Sequence, residues 1–318
     1  MQVCGSLNFN MKIITLTLNP AYDIHCEAER FVPFSENLFS VSSRDAGGKG
    51  VNISRALSAY GVKNTAIIAV GRENSGDFLT SLRAEGLSFI AIEAEGRIRE
   101  NITLHSKGEP ETRISFKGFC AAAALLDSVF SKVRAEVDRD TVLTLTGSLP
   151  VGISAKDMIP YLSEMKALGV RTVIDSRSFT AEDIAAHHPW LIKPNEEEIS
   201  IYSDDEITTP ESAALAADKL RYMADNVMIS LGAKGAVLAT EGGRYFAEAP
   251  KVSVLSTVGA GDSSIAGFIA AEALGLSTER SLALAVSFGS AACSVSGTQA
   301  PQRSVISALF SDCASRKL

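Results

Sequence analysis

The chain has 318 residues, a formal charge of -7, a pI near 5.3 and 46% hydrophobic residues. That length suits one large α/β domain with a small appendage, and the acid balance excludes broad nucleic-acid binding, which needs a dense basic face to release counterions. No stretch approaches the roughly 18 apolar residues of a membrane span, and residues 1–10 lack the basic and apolar regions of a secretion signal. Those ten residues read as an N-terminal tail, with Met11 the expected natural start because patterned sequence begins there. From Lys12 onward, short Val/Ile/Leu/Thr runs alternate with amphipathic stretches. Strands are expected at 12–18, 66–70, 141–146, 171–174, 190–193, 227–231 and 236–239. Helices are expected at 50–60, 75–84, 122–136, 154–168, 209–223, 261–274, 278–295 and 301–312. The alternation predicts an α/β fold, an open and mostly parallel sheet with helices on both faces, whose ligand crevice lies at the carboxyl ends of the strands.

Two segments break that rhythm. Residues 24–46 and 97–117 read as short polar–apolar alternations, such as Asn101 to Ser106, a Lys107-Gly108-Glu109-Pro110 turn, and Thr112 to Phe116. They predict a small antiparallel β lid inserted into a single domain spanning 11–318. Ile102, Leu104, Ile114 and Phe116 recur at strand spacing without an obvious core, so the lid is expected to close over a ligand and to pair two subunits as a homodimer.

Five cysteines, Cys4, Cys26, Cys120, Cys293 and Cys313, are odd in number and scattered, with no CxxC pair. They indicate neither a disulfide framework nor a zinc site, and they suit a reducing cytoplasm. His25, His105, His187 and His188 show no metal-ligand spacing and read as surface or lid residues.

The strongest local signal runs from Lys251 through Ser256-Thr257-Val258-Gly259-Ala260-Gly261-Asp262 into an apolar helix. A strand-like run, a small-residue turn and a helix start together make an anion site, because the first N–H groups of the helix have no intrahelical acceptor. Glycines let the backbone approach the anion. A carboxylate in that turn would repel a passively held pyrophosphate, whereas a reaction that takes a proton from a hydroxyl as a phosphoryl group arrives needs a base there. Taken alone, Asp262 also reads as a cap residue after a Gly turn. The sequence has no GxxxxGK[ST], and the Gly48-x-Gly50 and Gly259-x-Gly261 pairs lack the third glycine of a dinucleotide fingerprint. A second cluster, Asp45-Ala46-Gly47-Gly48-Lys49-Gly50-Val51-Asn52, leads into a helix. Its glycines, one point charge and one amide suit a polyol carrying a phosphate, or else make a plain turn with a solvated lysine.

These motifs, in this order, resemble the ribokinase-like (PfkB) carbohydrate kinases, and within them the phosphosugar branch of 1-phosphofructokinases, tagatose-6-phosphate kinases and minor 6-phosphofructokinases. The likeness spans about Lys12 to Gln299. It is carried by Leu18-Asn19-Pro20-Ala21-x-Asp23, Gly47-Gly-Lys-Gly-x-Asn52, Arg99-x-Asn101, Gly147-Ser-Leu-Pro150, Lys193-Pro-Asn-Glu-x-Glu198, Ser230-Leu-Gly-Ala-Lys-Gly235 and Ser256-Thr-Val-Gly-Ala-Gly-Asp262. Where the broader family most often has Asp-Thr ahead of Gly-Ala-Gly-Asp, this chain has Ser256-Thr257, which favours the phosphosugar branch.

The resemblance implies roles residue by residue. Asp262 is expected as catalytic base and Gly259, Ala260 and Gly261 as the anion hole. Asp23 and Asn52 are expected on sugar hydroxyls beside Gly47, Gly48 and Asn101, with Lys49, Arg99 and Ser148 on the phosphate already present. Lys193, Asn195, Ser230, Gly232, Gly235, Val258 and Ala292 are expected at ATP, the last in a wall running to Gly297. Asn195 and Glu198 are expected to place Mg²⁺ through water. A monovalent cation such as K⁺ would sit among carbonyls near Ser256, Val258, Ala292 and Gly297. The expected reaction is MgATP-dependent phosphorylation of D-fructose 1-phosphate to D-fructose 1,6-bisphosphate. Tagatose-6-phosphate kinase or 6-phosphofructokinase activity is the alternative within the family. From other classes, a non-catalytic sugar-phosphate sensor is disfavoured because it has no need of a base, and a dehydrogenase because of the incomplete fingerprints. Asp175, at the end of a strand, reads equally as a crevice residue or a turn acid.

Overall fold

A computed structural model describes residues 11–202, 207–295 and 297–318. Cys4, the 1–10 tail and the acidic run at Asp204 to Glu206 lie outside the described residues, as does Ser296. In chain order the elements are β1 (Lys12–Thr17), β2 (Ala21–Ala28), β3 (Ser40–Gly47), α1 (Lys49–Tyr60), β4 (Thr65–Gly71), α2 (Ser75–Ala84), β5 (Phe89–Ala94), β6 (Arg99–Ser106), β7 (Thr112–Ser115), α3 (Ala124–Glu136), β8 (Thr141–Thr146), α4 (Ala155–Ala167), β9 (Arg171–Asp175), α5 (Ala181–His187), β10 (Leu191–Ile192), α6 (Pro210–Lys219), β11 (Asn226–Ser230), β12 (Ala236–Thr240), β13 (Gly243–Ala247), α7 (Ala260–Ala273), α8 (Thr278–Cys293), α9 (Arg303–Asp312) and β14 (Ser315–Lys317).

The main sheet has the order β14-β13-β12-β11-β10-β9-β8-β1-β4-β5. From β5 to β11 all neighbours are parallel, and β12, β13 and β14 close one edge antiparallel. Strand alternation divides the core in two. Ile14, Leu16, Leu143, Leu145, Ile174 and Ile192 face the layer of α3, α4 and α6. Ile13, Val142, Val173 and Leu191 face α1, α7, α8 and α9. Burial on both faces explains why the central strands read as continuous apolar runs. Helices α7 and α8 pack closely enough that a Cβ on Gly267 would stand 2.8 Å from the Ala285 backbone.

Chain order reverses between β1 and β8: from β1 the sheet grows through β4 and β5 one way and from β8 the other. Ligands of open α/β sheets bind at such a switch point, outside the carboxyl ends of the strands.

The second sheet has the order β3-β2-β6-β7. It was expected to be antiparallel, but its central pair, β2 and β6, is parallel. β2 follows directly on β1 and β6 on β5, so both leave the carboxyl edge of the same parallel sheet and run the same way. Strand β5, the short helix α5 and the edge strands β13 and β14 were not anticipated. The helix expected over 209–223 ends at Lys219, with a 3₁₀ turn at Leu220–Tyr222.

Candidate active site

The anion loop is built as its residues require. Gly259 caps α7 with φ 78°, a left-handed conformation that favours glycine. Gly261 leaves room for a lysine, since a Cβ there would stand 3.1 Å from Lys193 Nζ. The N–H groups of Gly261 and Asp262 come too early in α7 to reach an intrahelical acceptor, so the positive end of the helix is free for an anion.

Asp262 is buried, in the first turn of α7. Burial pushes its carboxyl up to about 6, against the opposing pull of Lys49 and of a hydrogen bond from Asn52 Nδ2 to Oδ2 at 2.9 Å. Asn52 is itself oriented by Arg55, whose Nη1 donates to Asn52 Oδ1 at 3.0 Å while Nη2 donates to the Ala46 carbonyl at 2.6 Å. The amide nitrogen of Asn52 is thereby left to face the carboxylate.

Lys49 Nζ donates to Asp175 Oδ2 at 2.9 Å. Burial works against the ammonium, but Asp175 and Asp262 more than offset it and raise its pKa. Burial likewise opposes the Asp175 charge, yet Lys193 and Lys49 hold that carboxyl below its ordinary range. Asp175 is thus a crevice residue at the end of β9, and Lys49 and Lys193 act on both carboxylates, Asp175 and Asp262, at one place in the structure.

A cavity of about 590 Å³ opens on this point from the switch between β1 and β8. Thr17, Asn19, Thr146, Gly147 and Ser148 line it from the strand ends, and Asp23, Arg99, Asn101, Arg113 and Ser115 line it from the lid. The lid residues share one face by register, Asp23 opposite Asn101 and Asn101 opposite Ser115. Asn101 Nδ2 donates to Asp23 Oδ1 at 3.0 Å. Burial raises the Asp23 pKa despite Asn101 and Arg99, and burial lowers that of Arg99. Gly47 does not line the cavity; it makes space, because a Cβ there would stand 2.1 Å from Asp23 Oδ2. Gly48, Lys49, Asn52 and Val258 line it too, which places Val258 on this side rather than with the nucleotide-side residues.

A second cavity, of about 870 Å³, lies beyond the anion loop. Ser230, Gly232, Gly235, Lys193 and Asn195 line it as expected. Ala292 does not: it is buried in α8, and Val286, Gly289, Ser290 and Cys293, spaced three and four apart on one helix face, form that wall. The two cavities share Lys193, Asn195, Thr257 and Gly261, so they meet at the anion loop.

Asn195 and Glu198 bind each other, through Asn195 N–H to Glu198 Oε2 at 3.2 Å and Glu198 N–H to Asn195 Oδ1 at 2.8 Å. Arg177 Nε donates to Glu198 Oε1 at 2.9 Å. Among the described residues no group of three His, Cys, Asp or Glu could hold a metal ion. One carboxylate beside an anion hole fits Mg²⁺, which dehydrates reluctantly and is commonly held by phosphates and waters with few protein ligands. With its side-chain oxygen committed to Glu198, Asn195 is a positioning group here.

Sequence reading missed Asp175 as a partner, Arg55, Arg113, Ser115, Thr17 and Thr146. Arg55 stands three residues after Asn52 on one helix face, and Arg113 alternates with Ser115, so spacing carried a signal for these. His25 and His105 are hydrogen-bonded to each other in the lid at 2.9 Å. His187, expected at the surface, is buried against Thr172 at 2.7 Å, where burial pushes it down to about 4.

The family described as pfkB family carbohydrate kinase matches residues 17–304. A 1-phosphofructokinase of Vibrio cholerae is 32% identical over 257 residues, covering 80% of this chain and 81% of its own. One from Bacillus subtilis is 32% identical over 280 residues, 88% of this chain and 91% of its own. Among solved structures, Escherichia coli phosphofructokinase-2 in complex with substrates and products superimposes with a TM-score of 0.86 at 26% identity, over 95% of this chain and 99% of that one. The same enzyme has been solved in complex with potassium.

Proposed function

Because this chain belongs to the pfkB family of carbohydrate kinases, phosphotransferases by activity, we propose that it transfers the γ-phosphate of ATP to the 6-hydroxyl of D-fructose 1-phosphate, giving D-fructose 1,6-bisphosphate. The observation that carries the reading is the meeting of two cavities at the Gly259–Gly261 loop, with a buried carboxylate, Asp262, lining the strand-end cavity next to the shared Gly261.

The acceptor lies in the strand-end cavity with ring hydroxyls toward Asp23, Asn101 and Asn52 and its own phosphate toward Arg99 and Ser148; Lys49, expected on that phosphate too, is held at Asp175 and close to Asp262 and is reassigned to the transferring group. ATP lies in the larger cavity. Asp262 takes the proton of the attacking hydroxyl as that oxygen approaches the phosphorus, and its raised pKa suits a base near neutral pH. The helix N-terminus, Lys193 and Lys49 stabilise the charge that spreads over the transferring phosphoryl oxygens. Glu198 would hold Mg²⁺ through water, and the ion when bound would supply further charge neutralisation on the phosphates. Lid closure excludes water and so limits wasteful hydrolysis of ATP.

The solved potassium complex of the phosphofructokinase-2 relative supports a monovalent cation, and the family resemblance is the ground for putting it among carbonyls near Ser256, Val258, Ala292 and Gly297. Residues 11–318 act as one kinase unit with the lid as an insertion. The outer lid face supports a homodimer: Ile114 and Phe116 are exposed there, although Leu104, expected beside them, is already buried within the chain. Free Cys26, Cys120, Cys293 and Cys313 suit the cytoplasm, and among the described residues no helix is long and apolar enough to cross a membrane.

The test is kcat/KM for fructose 1-phosphate, fructose 6-phosphate and tagatose 6-phosphate under one MgATP condition. Fructose 1-phosphate should lead by tens to hundreds of fold, on the order of the about 1–3 kcal/mol that a mispaired buried hydroxyl costs. A lead by either 6-phosphate overturns the acceptor, and no ADP release with any sugar phosphate overturns the reaction.

A further inference from the structure

Asn19 sits in the bend between β1 and β2, almost wholly buried, at the floor of the acceptor cavity. Its Nδ2 faces three acceptors: the Lys117 carbonyl at 3.0 Å, Ser148 Oγ at 3.1 Å and the Leu149 carbonyl at 3.3 Å. Two of these are carbonyl oxygens, which accept and never donate, so the amide nitrogen and not its oxygen must point this way. Two amide protons serve these three acceptors, with Lys117 and Ser148 at the shorter distances, so Ser148 Oγ accepts from Asn19 and its own proton has no partner among the described residues. Ser148 lines the cavity, so that O–H is free for a ligand. Arg99 is tied in parallel, Nη1 donating to the Phe116 carbonyl at 3.1 Å, while its buried Nε has no partner among the described residues. The end of the lid, residues 116–118, is therefore pinned by Arg99 from one side and by Asn19 from the other. Gly118 completes the fit: φ is 91°, and a Cβ there would stand 2.2 Å from Asn19 Oδ1.

We propose that Asn19 is the positioning residue of the acceptor-phosphate clamp: it fixes Ser148 with its hydroxyl proton toward the cavity and holds the lid end so that Arg99 Nε and Ser148 meet the same phosphate. The inference rests on the kinase reading above. It makes Asn19 a determinant of selectivity for phosphorylated over unphosphorylated sugars, acting through Ser148 rather than by touching the substrate.

The experiment compares wild type with Asn19→Ala, Ser148→Ala and the double variant, using the best sugar phosphate found and the matching free sugar, each with MgATP. Asn19→Ala should raise KM for the sugar phosphate about 10–100-fold, the span of one charge-assisted hydrogen bond, while KM for ATP and kcat/KM for the free sugar stay within about threefold. In the Ser148→Ala background, removal of Asn19 should cost clearly less than in wild type, because the proton it orients is gone and only its hold on the lid end at Lys117 remains to be lost. Additive effects, or equal losses with phosphorylated and free sugar, overturn the proposal. Asn19→Asp keeps the shape but replaces the donor with an acceptor, and it should show the same selective KM rise; an unchanged KM in that variant also overturns it. A wild type inactive on every sugar phosphate would instead overturn the kinase reading.

Discussion

Asn52 donates to Asp262 across 210 positions of sequence, joining the first turn of α1 to the first turn of α7. The bond favours the ionised carboxylate and so opposes the upward push of burial on Asp262. Since the base acts only when deprotonated, kcat should fall as pH drops through about 6. Asn52→Ala removes a lowering influence and should move that acid limb to higher pH. A limb that stays in place or moves down in a pH–rate profile contradicts the assigned bond.

Asp262→Asn keeps size but cannot accept the proton. Its kcat should fall by roughly 10²–10⁴, with modest change in substrate KM. Retention of a tenth of wild-type kcat would remove Asp262 from the role of base.

The same substitution should stabilise the protein. The folded pKa of Asp262, about 6, lies above its ordinary value of 3.8, so the folded state holds the proton more tightly. That contribution is fully present below the unfolded value and is lost as pH rises through the folded one. Asp262→Asn should therefore melt above wild type at pH 8, with the gap narrowing toward pH 4. Calorimetry of the two proteins without ligands at both pH values checks the sign.

Arg99 lines the strand-end cavity together with Ser148 and is absent from the lining of the second cavity. Arg99→Ala should raise KM for the sugar phosphate on the order of the about 1.5–3 kcal/mol of a charged hydrogen bond, and leave KM for ATP nearly unchanged. Equal effects on the two substrates would assign the arginine to both.

On the lid, Ile114 is 42% and Phe116 51% exposed at the β7 edge, and Val41 is 64% exposed on β3, the opposite edge strand of the same sheet. Burying that face between two copies predicts a dimer by light scattering at micromolar concentration, and a shift to monomer in Phe116→Asp. A wild type that is monomeric and fully active would dismiss the lid interface.

The sequence by itself determined the fold class, the lid segments and the anion loop. Those signals are local: apolar period distinguishes strand from helix, and Gly259 and Gly261 announce a turn that only small residues enter closely. It also singled out Asp262, Lys49 and Asn52, which the fold brings to one cavity. Short edge strands such as β13 and β14 stayed illegible because their few apolar positions resemble loops until a neighbouring strand pairs with them. The parallel β2–β6 pair followed from where two strands leave the main sheet, which no local pattern states. The tertiary structure alone decided the partners. Lys49 faces Asp175, Arg55 turns the Asn52 amide toward Asp262, Ala292 lies inside α8, and Asn19 reaches across to Lys117 and Ser148. Which polar groups share a buried space depends on how distant elements pack, and burial is what moves the Asp262 carboxyl toward neutral pH.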